Sequence, residues 1–190
     1  MKPQSVVQVA TTEIGTPIGA MIAAASETHL LLFEFPHRRM IDTQFERVRR
    51  ALDCELAPGD SPMFAMLRAQ LDEYFAGRRR EFTVPLHTPG TPFQMRVWAE
   101  LQRIPCGTTT TYARVAEAIG QPNAVRAVAR ANGDNRIAII IPCHRVIGSN
   151  GELVGYGGGL SRKRKLLDLE GRAETLSLFA DGPNAARIGL

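Results

Sequence analysis

The segment at residues 137–147, IAIIIPCHRVI, places the strongest constraint on how this chain can fold. Its apolar run must be buried, yet Pro142 has no amide proton and cannot continue a regular hydrogen-bonded ladder. The sequence therefore predicts a buried strand that bends after Pro142 and delivers Cys143 and His144 side by side. Because successive side chains of a strand point to opposite faces, these two can cooperate only across the bend or through a water molecule.

The pair Cys143 and His144 has two interpretations. Free cysteines are often simply buried, and apolar surroundings raise the pKa of a thiol and keep it unreactive. A neighbouring histidine can instead act as the base that generates a thiolate, as nucleophilic cysteine sites require. The dipeptide alone does not decide between structure and catalysis.

Composition limits the classes of protein that remain. A chain of 190 residues, 44% hydrophobic and 22% charged, can form one ordinary domain or two small ones. Its three cysteines are far apart in sequence, which favours reduced thiols and a cytoplasmic setting over a disulfide framework. The spacing of Cys and His residues does not fit a zinc site, and the apolar run at residues 21–25 is too short for a signal peptide or a membrane span. We therefore expect neither a metal nor a membrane.

Charge is unevenly distributed along the chain. The net charge of +4 comes from residues 91–171, whose net charge is +5. The net charge is −1 for residues 1–90 and zero for residues 172–190. A basic half beside a neutral one indicates a surface for a polyanion, although a solvated basic face would give the same imbalance.

Periodicity and turn residues predict an α+β fold with two domains. Residues 1–90 are predicted to form a small antiparallel-sheet domain, residues 91–171 a mostly helical domain, and residues 172–190 a tail without a functional motif. The elements predicted in the first domain are strands at 6–10, 20–25 and 30–35, a helix at 41–54, a charged loop to residue 60, a helix from Pro62 to Gly77, and a strand after Arg80.

Two predicted helices at residues 112–119 and 123–131 have the length and turn chemistry of a helix-turn-helix. On the second helix, Arg126 and Arg130 are one turn apart on one face, and Ala127 begins an adjacent stripe of small residues. Small side chains permit close approach to another surface that the arginines can reach. Helical pairs of this kind also occur in proteins that do not bind DNA.

The chain resembles the O6-alkylguanine-DNA alkyltransferases, the methylated-DNA–protein-cysteine methyltransferases, from about residue 91 to residue 171. The resemblance rests on the helical pair and on the string IPCHRVIGSNGELVGYGGGLSRKRKLLDLEG. It implies a bacterial-type DNA repair protein, a monomer without a cofactor, that binds double-stranded DNA containing O6-alkylguanine. In that family the cysteine of the PCHRV context accepts the alkyl group once and irreversibly. The resemblance makes Cys143 the acceptor, His144 its base and Glu170 the residue that orients the histidine.

Further roles follow from the same resemblance. Tyr112 matches the tyrosine that assists rotation of the nucleotide and protonates the departing guanine. Asn135 matches the asparagine that links the recognition helix to the active-site strand. Arg136 replaces the proline that usually follows it, and this change either loosens that link or adds a phosphate contact. Arg126 matches the arginine that fills the gap left by the extruded nucleotide. The implied substrate pocket comprises Pro142, Val146, Tyr156 and Gly157.

A last helix is predicted to begin with Ser161 as its cap and to end at Gly171. Its first turn is basic, and cations at a helix N-terminus oppose the macrodipole unless an anion lies there. We therefore predict that Arg162 and Lys163 contact DNA phosphate. Together with Arg126, Ala127 and Arg130 of the recognition helix they form the predicted DNA-binding surface.

Two other classes of function compete with suicide alkyl transfer. An alkyltransferase-like protein that binds lesions without catalysis resembles these enzymes but lacks the acceptor cysteine, so Cys143 argues against it. A Cys-His hydrolase would need an oxyanion hole and an acyl substrate, and the basic helical region does not serve that reaction.

Overall fold

The computed structural model describes the backbone of residues 7–180 and the side chains of residues 8–171. The first part of the chain forms a four-stranded sheet with the order β3-β2-β1-β4. Strands β1 to β3 are antiparallel neighbours, whereas β4 runs parallel to β1. The strands are β1 (Val7–Ile14), β2 (Met21–Ala25), β3 (Leu30–Glu34) and β4 (Cys54–Pro58).

The purely antiparallel sheet predicted from the sequence is wrong at one edge. The charged, proline-containing segment at residues 54–58 is β4 and not a loop. Helix α1 (Ile41–Leu52) carries the chain to this edge and places β4 beside β1. Pro58 stands at the end of an edge strand, where a missing amide proton is tolerated.

The strand predicted after Arg80 is also wrong. Within the described chain this segment has no regular strand, and Leu86 forms an isolated bridge with Leu30 instead. The segment still attaches to the sheet, because the Leu30 amide donates to Pro85 O at 2.8 Å and the His87 amide to Leu30 O at 3.0 Å.

The helix predicted from Pro62 is confirmed as α2 (Pro62–Phe75). The Ser61 side chain accepts a hydrogen bond from the Met63 amide at 3.2 Å, and a proline in the first turn loses no helical hydrogen bond. The helix buries an apolar face, and Tyr74 in its last turn is 2% exposed.

The second part of the chain is mostly helical, as predicted. Helices α4 and α5 are joined by a 3-10 turn at Pro122–Ala124, which confirms the helix-turn-helix. A short parallel pair, β5 and β6, lies between α3 and the last helix. The elements are α3 (Pro92–Gln102), β5 (Thr110–Thr111), α4 (Tyr112–Ala118), α5 (Val125–Gly133), β6 (Val146–Ile147) and α6 (Leu160–Ala180).

The predicted bounds of the last helix are wrong at both ends. Helix α6 begins at Leu160, so Ser161 lies inside its first turn and is not the residue before the helix. It continues beyond Gly171 to Ala180 and includes the first part of the predicted tail. Residues 181–190 lie outside the described chain. No described helix is both long and apolar enough to cross a membrane.

One apolar core extends through both parts of the chain and attaches the Cys143 segment to the sheet. The Phe33 amide in β3 donates to Arg136 O at 2.9 Å, and the Ala138 amide donates to Phe33 O at 2.8 Å. Trp98 of α3 is 1% exposed, and its indole N–H donates to Ala131 O at 2.9 Å. The sheet and the helices therefore position the same segment.

Candidate active site

The predicted strand before Cys143 is wrong, because residues 137–141 form a buried turn and not an extended ladder. The predicted bend at Pro142 is confirmed. Pro142 has φ −81° and ψ 59°, and the Cys143 amide donates across it to Ile141 O at 2.8 Å, which is an inverse γ-turn. A 3-10 turn at Cys143–Arg145 follows, so Cys143 and His144 do not alternate across a strand.

The turn is strained at Ile139 and held by Asn135. Ile139 has φ 73°, a conformation that a β-branched residue adopts only when its surroundings impose it. The Asn135 side chain accepts from the Ile137 amide at 3.0 Å and donates to Ile141 O at 2.9 Å. Asn135 thus fixes the loop that carries the cysteine.

Cys143 is a buried thiol with 6% of its surface exposed. Burial raises the pKa of the Cys143 thiol to about 11, although the nearby Asn135 amide opposes that shift. The thiol is therefore protonated at neutral pH, and a nucleophilic role requires a base within reach.

His144 is fully buried and bonded to Glu170. Its Nε2 lies 2.9 Å from Oε1 of Glu170, and Nδ1 is buried with no hydrogen-bond partner among the described residues. Because an ionised carboxylate can only accept, Nε2 carries the proton and Nδ1 presents a lone pair. Burial lowers the pKa of His144 although Glu170 opposes this, so the ring is a neutral imidazole that can accept a proton.

Glu170 is the centre of a buried hydrogen-bond network that local sequence patterns do not reveal. Arg145 donates to Oε2 at 2.9 Å and to Oε1 at 2.8 Å, and the Gly107 amide reaches Oε2 at 3.3 Å. The Tyr74 hydroxyl donates to Oε1 at 2.7 Å. Burial alone would raise the pKa of Glu170, but the hydrogen bonds from His144 and Arg145 hold it well below its usual range. The carboxylate is therefore ionised.

Tyr112, the first residue of α4, lies near the thiol. Its side chain is half-buried, and a side chain at Gly155 would come within 3.2 Å of its hydroxyl. Burial raises the pKa of Tyr112, and the charge that would form on Cys143 raises it further. The hydroxyl therefore keeps its proton at neutral pH.

A small cavity of about 10 Å³ connects the thiol to the glycine-rich segment. Arg38 covers it from the N-terminal part of the chain, with Nη1 donating to Asn135 O at 2.7 Å and further hydrogen bonds to Glu34 and Gly133 O. A side chain at position 157 would come within 2.8 Å of the Arg38 guanidinium. The lining residues are Glu34, Arg38, Asn132, Gly133, Asn135, Ala138, Cys143, Gly155, Tyr156 and Gly157.

Of the four residues predicted for the pocket, Tyr156 and Gly157 line this cavity and Pro142 and Val146 do not. Val146 is fully buried in β6. Pro142 faces a separate groove of about 790 Å³ that Arg145 also lines. Cys143 lines the small cavity and not that groove, so the small cavity is the better candidate for the site.

The predicted phosphate contact of Lys163 is wrong, and that of Arg162 stays a prediction. Lys163 is fully buried, and its Nζ donates to Val146 O at 2.5 Å and Val154 O at 2.6 Å. Burial lowers the pKa of Lys163 to about 8. Arg162 Nε donates to Ile18 O at 2.8 Å, and its guanidinium lies over the Phe35 ring. Both side chains therefore join α6 to other segments of the protein.

Arg136 is buried and does not face the solvent, where a DNA phosphate would lie. Its side chain is 3% exposed and lies over the Trp98 ring, with the guanidinium carbon 5.5 Å from the ring centroid. Burial lowers the pKa of Arg136 to about 10. The residue that replaces the usual proline is therefore part of the packing between α3 and the Cys143 turn.

The outer face of α5 fits the prediction for a DNA contact. Arg126, Ala127 and Arg130 are exposed, whereas Val128 and Ala131 on the opposite face are buried. The arginines make no hydrogen bond or ion pair with another described side chain that would turn them away from the solvent.

Fold and site together define an α+β protein in which a buried cysteine, histidine and glutamate lie next to a helix-turn-helix. Residues 92–172 match the family described as 6-O-methylguanine DNA methyltransferase, DNA binding domain, and residues 10–88 match the ribonuclease-like domain of the same family. The chain belongs to the 6-O-methylguanine DNA methyltransferase family.

Sequence and structure comparisons with individual relatives support the same family. The methylated-DNA–protein-cysteine methyltransferase of Mycolicibacterium paratuberculosis is 45% identical over 166 residues, 87% of this chain and 94% of that protein. The constitutive enzyme of that name from Bacillus subtilis is 42% identical over 160 residues, 84% of this chain and 93% of that protein. The crystal structure of Mycobacterium tuberculosis O6-methylguanine methyltransferase has a TM-score of 0.75 at 42% identity, covering 90% of this chain and 99% of that one. A structure of the M. tuberculosis protein in complex with DNA has a TM-score of 0.73 at 42% identity, covering 91% and 99%. The resemblance identified in the sequence is confirmed.

Proposed function

We propose that this protein repairs DNA by moving the alkyl group of O6-alkylguanine irreversibly to Sγ of Cys143. The observation that carries the proposal is the buried Cys143 followed directly by His144, whose Nε2 is fixed on Glu170 and whose Nδ1 is left as the acceptor. Family membership and relatives named methylated-DNA–protein-cysteine methyltransferases support the same reaction. We propose O4-alkylthymine, which also carries an O-alkyl group, as a second substrate.

The proposed reaction uses only the protein, one water molecule and the damaged base. Nδ1 of His144 takes the Cys143 proton through one water molecule, and the thiolate attacks the alkyl carbon in line. The S–C bond forms as the C–O6 bond breaks, and Tyr112 donates a proton to the departing guanine. The thioether has no good leaving group, so each protein molecule reacts once.

The substrate must leave the base stack before it can meet the thiol. The cavity of about 10 Å³ beside Cys143 holds at most about one water molecule, so it must widen before a purine can enter. Residues 155–157 and the Arg38 side chain border the cavity. We propose that these two move apart to admit the flipped base and that Tyr156 and Gly157 then bound it.

Double-stranded DNA is the proposed partner, with α5 as the element that contacts it. The exposed face of Arg126, Ala127 and Arg130 combines cations with a small side chain, which suits close approach to a groove. A matching family described as a DNA binding domain supports this partner. We propose that Arg126 fills the space vacated by the extruded nucleotide and so offsets part of the cost of unstacking.

We further propose a division into an N-terminal domain at residues 1–90, a DNA-binding domain at 91–171 and a tail at 172–190. The protein would act as a monomer in the cytoplasm, consistent with the reduced cysteines expected from the sequence. A lesion-binding protein without catalysis is the alternative, and the presence of Cys143 at the end of the turn argues against it.

The decisive experiment is intact-mass spectrometry after the protein is mixed with an equimolar duplex containing one O6-methylguanine. We expect a gain of one methylene unit, saturating at one per molecule and located by peptide mapping on Cys143. A duplex without the lesion is the control and should give no mass change. Tight binding of the damaged duplex with no mass gain would contradict alkyl transfer and support the lesion-binding alternative.

Replacing Arg126 by alanine should slow repair of duplex DNA by about tenfold, because the lost side chain no longer offsets unstacking of the extruded base. Single-turnover rates on duplex and on single-stranded substrate measure this effect. A single strand needs no extrusion from a duplex, so the defect should shrink on that substrate. Arg50→Ala, an exposed arginine on α1, is the matched control. An equal defect on both substrates would contradict the proposed role.

A further inference from the structure

Tyr74 connects the N-terminal part of the chain to the catalytic network. It lies in the last turn of α2 and is separated from Glu170 by 96 residues in sequence, yet its hydroxyl is 2.7 Å from Oε1. The same oxygen lies 2.9 Å from Nε2 of His144. Tyr74 and His144 therefore share one acceptor atom of the carboxylate that orients the histidine.

The Tyr74 ring is held rigidly, so its hydroxyl has a fixed direction. The ring lies 5.3 Å from Phe75 and 5.3 Å from Phe82, centroid to centroid, and the side chain is 2% exposed. Burial and the neighbouring Glu170 charge raise the pKa of Tyr74 well above its usual value. The hydroxyl thus keeps its proton at neutral pH and donates it in the hydrogen bond to Glu170.

We propose that Tyr74 is a positioning residue for alkyl transfer, fixing Oε1 of Glu170 and moderating how strongly that oxygen holds the His144 imidazole. The proposal rests on the function proposed above and extends it to a residue of the N-terminal part. Arg145 donates to both carboxylate oxygens and the Gly107 amide reaches Oε2, so Oε1 accepts hydrogen bonds from Arg145, His144 and the Tyr74 hydroxyl. Tyr74 acts at the oxygen that His144 uses.

The direction of the effect on His144 follows from the charge shared at Oε1. A carboxylate oxygen that loses a hydroxyl donor keeps more negative charge, and a neighbouring imidazole then holds its proton more strongly. Removing the Tyr74 hydroxyl should therefore raise the pKa of His144. The titratable and charged groups around His144 are Cys143, Tyr156, Arg145, Lys163, Glu170 and, through Glu170, Tyr74.

Tyr74→Phe keeps the ring and removes only the hydroxyl. We expect the single-turnover rate of methyl transfer near neutral pH to fall about tenfold, the scale of a lost hydrogen bond to a charged group. The acid limb of the pH–rate profile should move to higher pH, because a more basic His144 is protonated over a wider range. Phe75→Leu, which alters the same ring cluster without touching Glu170, should leave the acid limb where it is in the wild type.

A second measurement keeps the test independent of both activity and the stability of Tyr74→Phe. Site-specific 3-fluorotyrosine at position 74 preserves the ring and strengthens the donor, so the His144 pKa from ¹⁵N NMR should shift to lower pH. The chain has four histidines, which makes the assignment practical. A wild-type rate and acid limb in Tyr74→Phe, or an unchanged His144 titration with 3-fluorotyrosine, would overturn the proposal. If the wild type transfers no methyl group, the proposed function fails, and the NMR titration still decides the role of Tyr74.

Discussion

Cys143→Ser should abolish alkyl transfer while the protein still binds the damaged duplex. A serine hydroxyl is far less acidic than a thiol and is a poor nucleophile without stronger activation, so His144 cannot generate the attacking anion. The substitution is nearly isosteric, and the turn at Pro142 is held by Asn135 and by backbone hydrogen bonds that do not involve the thiol. We therefore expect loss of chemistry without loss of fold or DNA binding.

Two measurements separate these effects. Mass spectrometry should give no methylene gain on Cys143→Ser, and a gel-shift titration should give a dissociation constant within about threefold of the wild type, since the substituted atom is buried and contacts no proposed DNA surface. Cys54→Ser is the control, because Cys54 is buried in a separate apolar cluster around α1 and β4. Transfer by Cys143→Ser at the wild-type rate, or transfer lost in Cys54→Ser alone, would contradict the assignment of the acceptor.

Local sequence patterns were sufficient for α2, for the pair α4 and α5 and for the bend at Pro142, but not for the bounds of α6. The apolar spacing of α2, the turn between α4 and α5, and the bend at Pro142 each depend on neighbouring residues, and each was predicted correctly. Cys143 and His144 are adjacent, so their proximity needed no knowledge of the fold. Glu170 was assigned from the resemblance to the family, and the structure places its carboxylate 2.9 Å from His144.

Contacts between distant segments were not predictable in this way. Tyr74 and Arg145 bind Glu170 from 96 and 25 residues away, and periodicity carries no information on such pairs. The basic first turn of α6 was misread for the same reason. A run of cations in a sequence suggests an exposed, charged surface. The helix instead turns Lys163 inward, where two backbone carbonyls accept hydrogen bonds from its ammonium group.

Residues 137–141 show a second limit of prediction from sequence, because their backbone does not follow their composition. Residues 137–141 have the β-branched composition of a buried strand, yet their backbone closes a turn with Ile139 at φ 73°. Hydrogen bonds to Phe33 on one side and the Asn135 side chain on the other stabilise this conformation. Tertiary contacts therefore override local propensity at the loop that carries Cys143.

Glu170→Gln should remove most of the transfer activity and lower the free energy of unfolding by about 3 kcal/mol, the scale of breaking one partner of a buried ion pair. Arg145 would keep its guanidinium charge in the interior, where it now forms two hydrogen bonds with the Glu170 carboxylate. The side-chain amide of the glutamine would also place an N–H donor among neighbouring groups that all donate hydrogen bonds to the Glu170 carboxylate. His144 would lose the acceptor that fixes Nε2 as the protonated nitrogen, so Nδ1 would no longer be reserved as the base.

The pH dependence of unfolding shows whether the ionised Glu170 carboxylate stabilises the folded protein. The pKa of Glu170 is depressed in the folded protein, so its contribution to stability is complete above the ordinary pKa of 4.5 and is lost as the pH falls toward the folded value. Chemical denaturation between pH 7 and pH 3 should therefore show a steeper loss of stability in the wild type than in Glu170→Gln. Asp168→Asn, an exposed carboxylate on the same helix, is the matched control and should keep the wild-type slope. If Glu170→Gln matches the wild type in stability at pH 7 and in transfer rate, the buried carboxylate neither holds Arg145 in the core nor orients His144.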